Sequence, residues 1–150
     1  KQKILFQAIT HKSYDPNNNY ENLEFLGDRV LRLVVSKKLY ELYSNETVVS
    51  LDNTLASLVN KNKCLEFGNL LNLKEFVITG NSKTNKNIIE NKIISDCCEA
   101  IIGAIYLEKG FEVSKSFILK LWKNFINDAK NTFVDTKTKL QDYSLKNVKI

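Results

Sequence analysis

The sequence predicts an all-α fold, on three observations. Only five Gly and one Pro (Pro16) occur in 150 residues, which leaves little material for tight turns. Apolar residues recur at spacings of three and four, the period of a helix with one face in a core. Strand-like alternation of apolar and polar residues is scarce. A chain of this length fits one domain and can bury about 68–70% of the surface that its unfolded form exposes. With 43% hydrophobic and 26% charged residues, the composition is that of an ordinary soluble globular protein and not of a disordered one.

Along the chain, residues 3–10 carry Ile4, Leu5, Ala8 and Ile9 at helical spacing and run into Thr10-His11-Lys12-Ser13. Residues 14–20, with Asp15-Pro16 and three asparagines, read as a loop. A long helix is expected over 21–43, where Leu23, Leu26, Val30, Leu33 and Val34 form an apolar stripe and Arg32, Lys37 and Lys38 lie away from it. Ser44 to Thr47 breaks that helix. Asp52 or Asn53 is placed to cap the next one, which carries Leu55, Leu58 and Val59. A short helix over 62–67 is expected to end at Gly68, the residue type favoured just past a helix C-terminus. Residues 70–78 are apolar but interrupted and predict one or two short helical turns. The most polar stretch, 79–87, predicts a surface loop. Helices are expected over 88–109, stopping at Gly110, and over 113–130, with Phe117, Ile118, Leu121, Trp122, Phe125 and Ile126. The last twenty residues are polar and basic, with a weak helical start at Thr138.

A net charge of +5 favours a polyanionic partner, and because no run of five basic residues occurs it acts as a general field and not a basic tail. The odd cysteine count, the vicinal pair Cys97-Cys98 and the apolar surroundings of Cys64 argue against a disulfide framework or a zinc site. Reduced core cysteines suit a cytoplasmic location. No apolar run reaches 18 residues and no signal peptide is present, which argues against membrane insertion. The abrupt start, Lys1-Gln-Lys-Ile-Leu5, is consistent with residues missing upstream.

Chemistry concentrates in two acidic groups. At about 100° per residue, Glu21, Glu24 and Asp28 fall within an arc of roughly 60° on the long helix, opposite the apolar stripe. Alone, such an arc reads as a solvated acidic face paired with lysines. The second group changes that reading. From Ile93 to Leu107 only Ser95, Asp96 and Glu99 are strongly polar, so this helix belongs in the middle of a bundle, with Asp96 and Glu99 one turn apart. Ionised carboxylates there are costly unless paired, with Arg29 or a lysine, or bound to metal. Carboxylates from two facing helices form a hard-oxygen nest suited to Mg2+, with Mn2+ as a substitute. Such ions polarise phosphodiesters and activate water, and the positive field suits a nucleic-acid substrate. His11, the one histidine, reads as a structural hydrogen-bonding residue, and no serine–histidine arrangement or phosphate-cradling glycine loop is present.

The run Glu21-Asn-Leu-Glu24-Phe-Leu-Gly27-Asp28-Arg-Val-Leu31 resembles the ribonuclease III family signature E-R-L-E-F-L-G-D-x-V-L. Thr10-His-Lys-Ser13 is similar to that family's T-H-x-S, and Ser95-Asp96-Cys-Cys-Glu99-Ala100-Ile-Ile-Gly103-Ala-Ile-Tyr-Leu107 to its D-x-x-E-A-x-x-G-A-x-x-L helix. The resemblance implies an all-α helical-bundle endonuclease domain over 1–131 that forms a homodimer. It implies cleavage of double-stranded RNA, as in processing of ribosomal and messenger RNA precursors, leaving 5′-phosphate and 3′-hydroxyl ends. Glu24, Asp28, Asp96 and Glu99 match the family's magnesium ligands. Asp28 and Glu99 also match its catalytic residues, with Glu21 as an accessory carboxylate. Gly27 falls where a side chain would crowd the neighbouring helix. The family's usual E-G pair after the signature helix is replaced by Val48-Val49, with Glu46 two residues early, and Asn22 and Asn53 stand at commonly basic positions. Asp135-Thr-Lys-Thr-Lys-Leu-Gln-Asp-Tyr143 resembles the start of a double-stranded-RNA-binding domain, so 132–150 reads as a linker and the truncated opening of that domain. The alternatives are a catalytically weak RNA-binding relative and an all-α nucleotide pyrophosphohydrolase, which also uses paired acidic helices with magnesium.

Overall fold

A computed structural model describes residues 2–80 and 90–147. Those residues form helices α1 (Gln2–Ala8), α2 (Glu21–Leu42), α3 (Val48–Leu58), α4 (Lys61–Leu70), α5 (Asn91–Lys109) and α6 (Phe111–Asn147), with a 3-10 turn at Leu73–Glu75. Among the described residues the only β pairing is one isolated bridge between Thr10 and Ile78. The all-α expectation holds. Most of the loop expected over 79–87, from position 81 on, lies outside the described residues.

Helix α5 is the axis of the bundle, as its nearly continuous apolar character predicts. Every residue from Ile94 to Ala100 is buried, and α1, α2, α4 and α6 all pack on the helix. The closest approach is to α2, where Gly27 meets Gly103. A Cβ at Gly27 would land on the carbonyl oxygen of Glu99 and lie 2.9 Å from the Gly103 nitrogen. A Cβ at Gly103 would land on the carbonyl oxygen of Leu23 and lie 3.2 Å from the Gly27 nitrogen. The two backbones therefore touch, which only glycine permits on both sides.

Helix α6 closes the far side. It buries Ser114, Ile118, Trp122, Ile126, Ala129 and Phe133, a stripe with steps of three and four. The Trp122 indole N–H donates to the Leu58 carbonyl at 2.9 Å, at the end of α3, and its ring lies 4.1 Å from that of Phe67. Cys64, Cys97 and Cys98 are buried and free, as their surroundings predict.

Four local expectations are corrected. Leu33 is exposed, whereas Leu31, Val35 and Leu39 are buried. At about 100° per residue, Leu31 and Val35 fall on the same side as Glu24 and Asp28. The core therefore wraps α2 on both sides: Leu23, Val30 and Val34 are buried opposite the acidic arc as expected, and the face that continues from Glu24 and Asp28 is buried as well. Helix α3 begins earlier than expected because Thr47, and not Asp52 or Asn53, caps it by accepting a hydrogen bond from the Ser50 N–H at 3.2 Å. Helix α4, capped by Asn60, continues through Gly68, whose missing side chain admits the α5 backbone at Ile94. Finally, α6 runs unbroken past position 131 to Asn147, where the sequence predicts only a weak helical start. The stop at Gly110 is as expected, with φ at 79° and its N–H on the Tyr106 carbonyl at 2.9 Å.

Because the neighbour at Gly27 is backbone and cannot rotate away, Gly27→Ala is expected to destabilise the fold by about 3 kcal/mol or more, the upper end for overpacking. Urea unfolding of the two proteins measures this, and equal midpoints would mean that the helices do not touch there.

Candidate active site

The α2–α5 contact brings three carboxylates together. One oxygen each from Glu24 on α2 and from Asp96 and Glu99 on α5 lie within 4.8 Å of one another. Asp96 is 0% exposed and Glu99 3%, whereas Glu24 is half-buried. Three like charges in so small and dry a space repel strongly unless cations intervene.

A lysine supplies the first cation. The Lys61 ammonium, from the first residue of α4, lies 2.7 Å from Glu24 Oε1, 2.6 Å from Asp96 Oδ1 and 2.7 Å from Glu99 Oε2. Lys92, one turn before Asp96 on α5, donates to Asp96 Oδ2 at 2.7 Å. The Tyr20 hydroxyl reaches the same oxygen at 3.4 Å, and the Cys64 thiol reaches Glu99 Oε1 at 3.5 Å. Every oxygen of the two buried carboxylates therefore has a donor.

The two buried acids respond differently. Burial works to raise the Asp96 carboxyl, but hydrogen bonds from Lys61 and Lys92 outweigh it and hold Asp96 below the ordinary carboxylate range. Glu99 has Lys61 but not Lys92, so burial, aided by the charge of Asp28, leaves it above that range. Burial lowers the Lys61 ammonium, yet its three carboxylate bonds prevail and raise it overall. Burial and the charge of Asp96 raise Tyr20, and burial pushes the Cys97 thiol up to about 12.

The remaining sequence-predicted residues sit around this centre. Asp28 lines the same cleft of about 400 Å³, but its carboxylate is engaged by Arg29 and by Arg32 Nε, the latter at 2.9 and 3.1 Å. Arg29 also lies over the exposed Phe25 ring, 4.7 Å from its centroid. Glu21 is exposed at the cleft mouth and pairs with Lys12 at 3.0 Å. His11 Nδ1 lies 2.8 Å from Ser13 Oγ, and its ring packs 5.8 Å from that of Tyr20, which in turn meets Asp96. The Thr10–Ser13 segment is thereby a support for the site: Thr10 accepts the Tyr20 N–H and His11 donates its own N–H to Ile78. Val48 and Val49, at the start of α3, are exposed.

Sequence reasoning missed Lys61, Tyr20 and Cys64 and named no particular lysine for Asp96. Lys92 was findable, since it stands four residues before Asp96 on one helix face. Lys61 was not, because its position depends on how α4 crosses α5.

The donor set fits a small divalent cation. All three groups offer hard carboxylate oxygens, and Mg2+ prefers such ligands at about 2.0–2.1 Å with water completing the shell. The three oxygens already converge on one positive charge, that of Lys61.

The family described as Ribonuclease-III-like matches residues 1–125 of the chain. A protein named Ribonuclease 3 from Pelagibacter ubique is 52% identical over 149 residues, which is 99% of this chain and 67% of that protein. A Ribonuclease 3 from Campylobacter jejuni is 43% identical over 144 residues, 94% of this chain and 64% of that one. The chain thus spans about two thirds of the length of these relatives. Among solved structures, the nuclease domain of ribonuclease III from Campylobacter jejuni superposes with a TM-score of 0.78 at 39% identity, covering 83% of this chain and 87% of that chain. That structure is described for flexibility in the region involved in dimer formation. Dicer from Pichia stipitis shares the fold, with a TM-score of 0.69 at 24% identity over 89% of this chain and 60% of that chain.

The lowered Asp96 carboxyl links stability to pH. Below about pH 4, where an unfolded aspartate takes up its proton, the native carboxylate stays ionised, so acid favours unfolding. Its contribution is present above about pH 4 and is lost as the pH falls through the native value. Glu99, raised, acts with the opposite sign: its contribution is lost as the pH rises above the unfolded glutamate value, about 4.3. In chelator, Asp96→Asn is therefore expected to flatten the acid limb of the melting temperature against pH. An unchanged limb would remove Asp96 as its cause.

Proposed function

The chain belongs to the ribonuclease III family, and we propose that it is a divalent-metal-dependent endoribonuclease acting on double-stranded RNA, leaving 5′-phosphate and 3′-hydroxyl ends. The observation that carries this reading is the convergence of Glu24, Asp96 and Glu99 from two helices onto one point. Glu24, Asp96 and Glu99, with Asp28, are the proposed holders of Mg2+ or Mn2+. When bound, such an ion supplies positive charge to polarise a phosphodiester and to acidify water.

The chain's own residues do the rest. Asp96 and Glu99 are held rigidly because α5 is packed on several sides, so the ligand oxygens are oriented before anything binds. Asp28 and Glu99 are the proposed catalytic carboxylates. Asp28 is tied to Arg29 and Arg32; on joining the ligand set it would release two guanidiniums at the cleft, where planar forks suit passing phosphates. Glu21 and Lys12 lie further out and are suited to an accessory role at the rim. The net charge of +5 supports a polyanionic substrate.

Three finer proposals follow from the family. A homodimer is supported by an apolar groove formed by Leu5, Phe6, Ile9, Phe76 and Ile101, in which Leu5, Phe6 and Phe76 are exposed. The division into an endonuclease domain over 1–131 and the opening of an RNA-binding domain over 132–150 rests on the motif at Asp135–Tyr143. RNA processing in the cytoplasm is the proposed setting; among the described residues no helix is long and apolar enough to cross a membrane.

Incubation of a long RNA duplex with the protein, in magnesium and in chelator, tests the proposal through fragment lengths and end chemistry. Glu99→Gln is expected to abolish cleavage while leaving the fold and RNA binding intact. The loss should exceed the roughly 10–100-fold that removal of an outer partner of a metal ligand costs. Undiminished cleavage would sink the site assignment, and hydrolysis of free nucleoside triphosphates with RNA untouched would favour a pyrophosphohydrolase.

Val48 favours a second reading, a catalytically weak relative that binds RNA, because an exposed valine stands where the family usually has an acid. Val48→Glu is expected to raise the cleavage rate or alter cut-site choice, measured on the same duplex. No change would mean that Val48 is neutral.

A further inference from the structure

Lys61 is in an unusual position for a lysine. Its side chain is 51% exposed, yet its ammonium ends among carboxylates that are 0% and 4% exposed. An ammonium has three donors, and here all three oxygens of the candidate metal site take one each, at 2.6–2.7 Å. Those are the oxygens a divalent ion would need, so ammonium and ion cannot share the site. Charge also distinguishes the two occupants. With Lys61 in place, three carboxylates face two lysines, Lys61 and Lys92, and one negative charge is left over. A dication in place of the ammonium, with Lys92 retained, would bring the group to neutrality.

We infer that Lys61 is a built-in counter-ion that holds Glu24, Asp96 and Glu99 together in the metal-free protein and must leave for a divalent ion to enter, so that it sets the protein's metal affinity. The inference rests on reading the cluster as a metal site. Departure needs no movement of the fold. The backbone of α4 is fixed by the Asn60 cap and by the contact of Gly68 with Ile94, whereas the exposed stem of Lys61 can rotate toward solvent. The lysine is thus a positioning residue with two consequences of opposite direction: it stabilises the metal-free site and it competes with the ion.

Calorimetric titration of the full chain with Mn2+, together with thermal melts in chelator and in saturating Mn2+, tests this on the parent and on Lys61→Met. The variant is expected to bind Mn2+ about tenfold more tightly, to melt lower in chelator, and to lose that deficit once Mn2+ is saturating. Parent binding with no tighter binding by the variant overturns the inference alone. Absence of Mn2+ binding by both proteins overturns the metal-site reading and this inference with it. Should Lys61→Met fail to fold, acetic anhydride labelling of the parent decides. Lys61 acetylation, read by mass spectrometry, is expected to be slow in chelator and about tenfold faster in Mn2+, as the freed ammonium becomes reactive. Equal rates would show that the lysine does not leave.

Discussion

The backbone contact between Gly27 and Gly103 is the constraint on which the rest of the site depends. Ordinary helix pairs are held 8–10 Å apart by their side chains. Here two glycines let α2 and α5 touch, and the carboxylates within a turn of the contact are drawn in with the backbones. Glu24 and Glu99 belong to different helices, yet each stands only three or four residues from the crossing. Spread the helices by one side chain and the oxygens separate, because a carboxylate is too short to span the gap. A structural requirement, close packing, and a chemical one, convergent charge, are met by the same pair of residues.

Convergence creates the difficulty that the surrounding residues answer. Buried carboxylates are tolerated only with full hydrogen bonding and compensating charge. Asp96 receives Lys61, Lys92 and Tyr20, while Glu99 receives Lys61 and Cys64. The inequality explains why burial prevails at one acid and pairing at the other. It also explains the place of Thr10–Ser13, which touches neither buried acid but fixes Tyr20 from behind through a backbone bond and the ring of His11. Asp28 is paired instead with two exposed arginines, whose side chains can turn toward solvent.

Much of this was legible in the sequence, and the boundary is physical. The all-α class, the central position of α5 and the pairing of its acids with those of α2 follow from periodicity and from the cost of burying charge. Which side of α2 faces α5 does not. Periodicity marks Leu23, Val30 and Val34, which are buried, but it does not distinguish the exposed Leu33 from the buried Leu31, Val35 and Leu39, whose face is settled by the glycine contact. Caps and ends were similarly underdetermined. Asp52 and Thr47 are both good N-cap residues, and Gly68 is a plausible helix stop until α5 is seen to need the space. Lys61 carries no local signal, since its partners are 35 to 38 residues away in the chain.

The arrangement of charge also bears on how a polyanion could use the cleft. The rim carries Arg29, Arg32 and Lys12, and the floor carries the acids. A phosphate is drawn to such a rim but repelled by the floor, and the repulsion grows as water is excluded between them. Lys61 can neutralise the floor only in part, and while all its donors are turned inward none is left for a phosphate oxygen. On the proposed reading, then, the cation serves more than the bond-breaking step. Its arrival cancels the charge that keeps a phosphodiester out and returns the Lys61 ammonium to the cleft, where its donors can face the substrate. Metal binding and entry of a phosphate into the cleft would be coupled through one side chain, with no movement required of the helices that carry the acids.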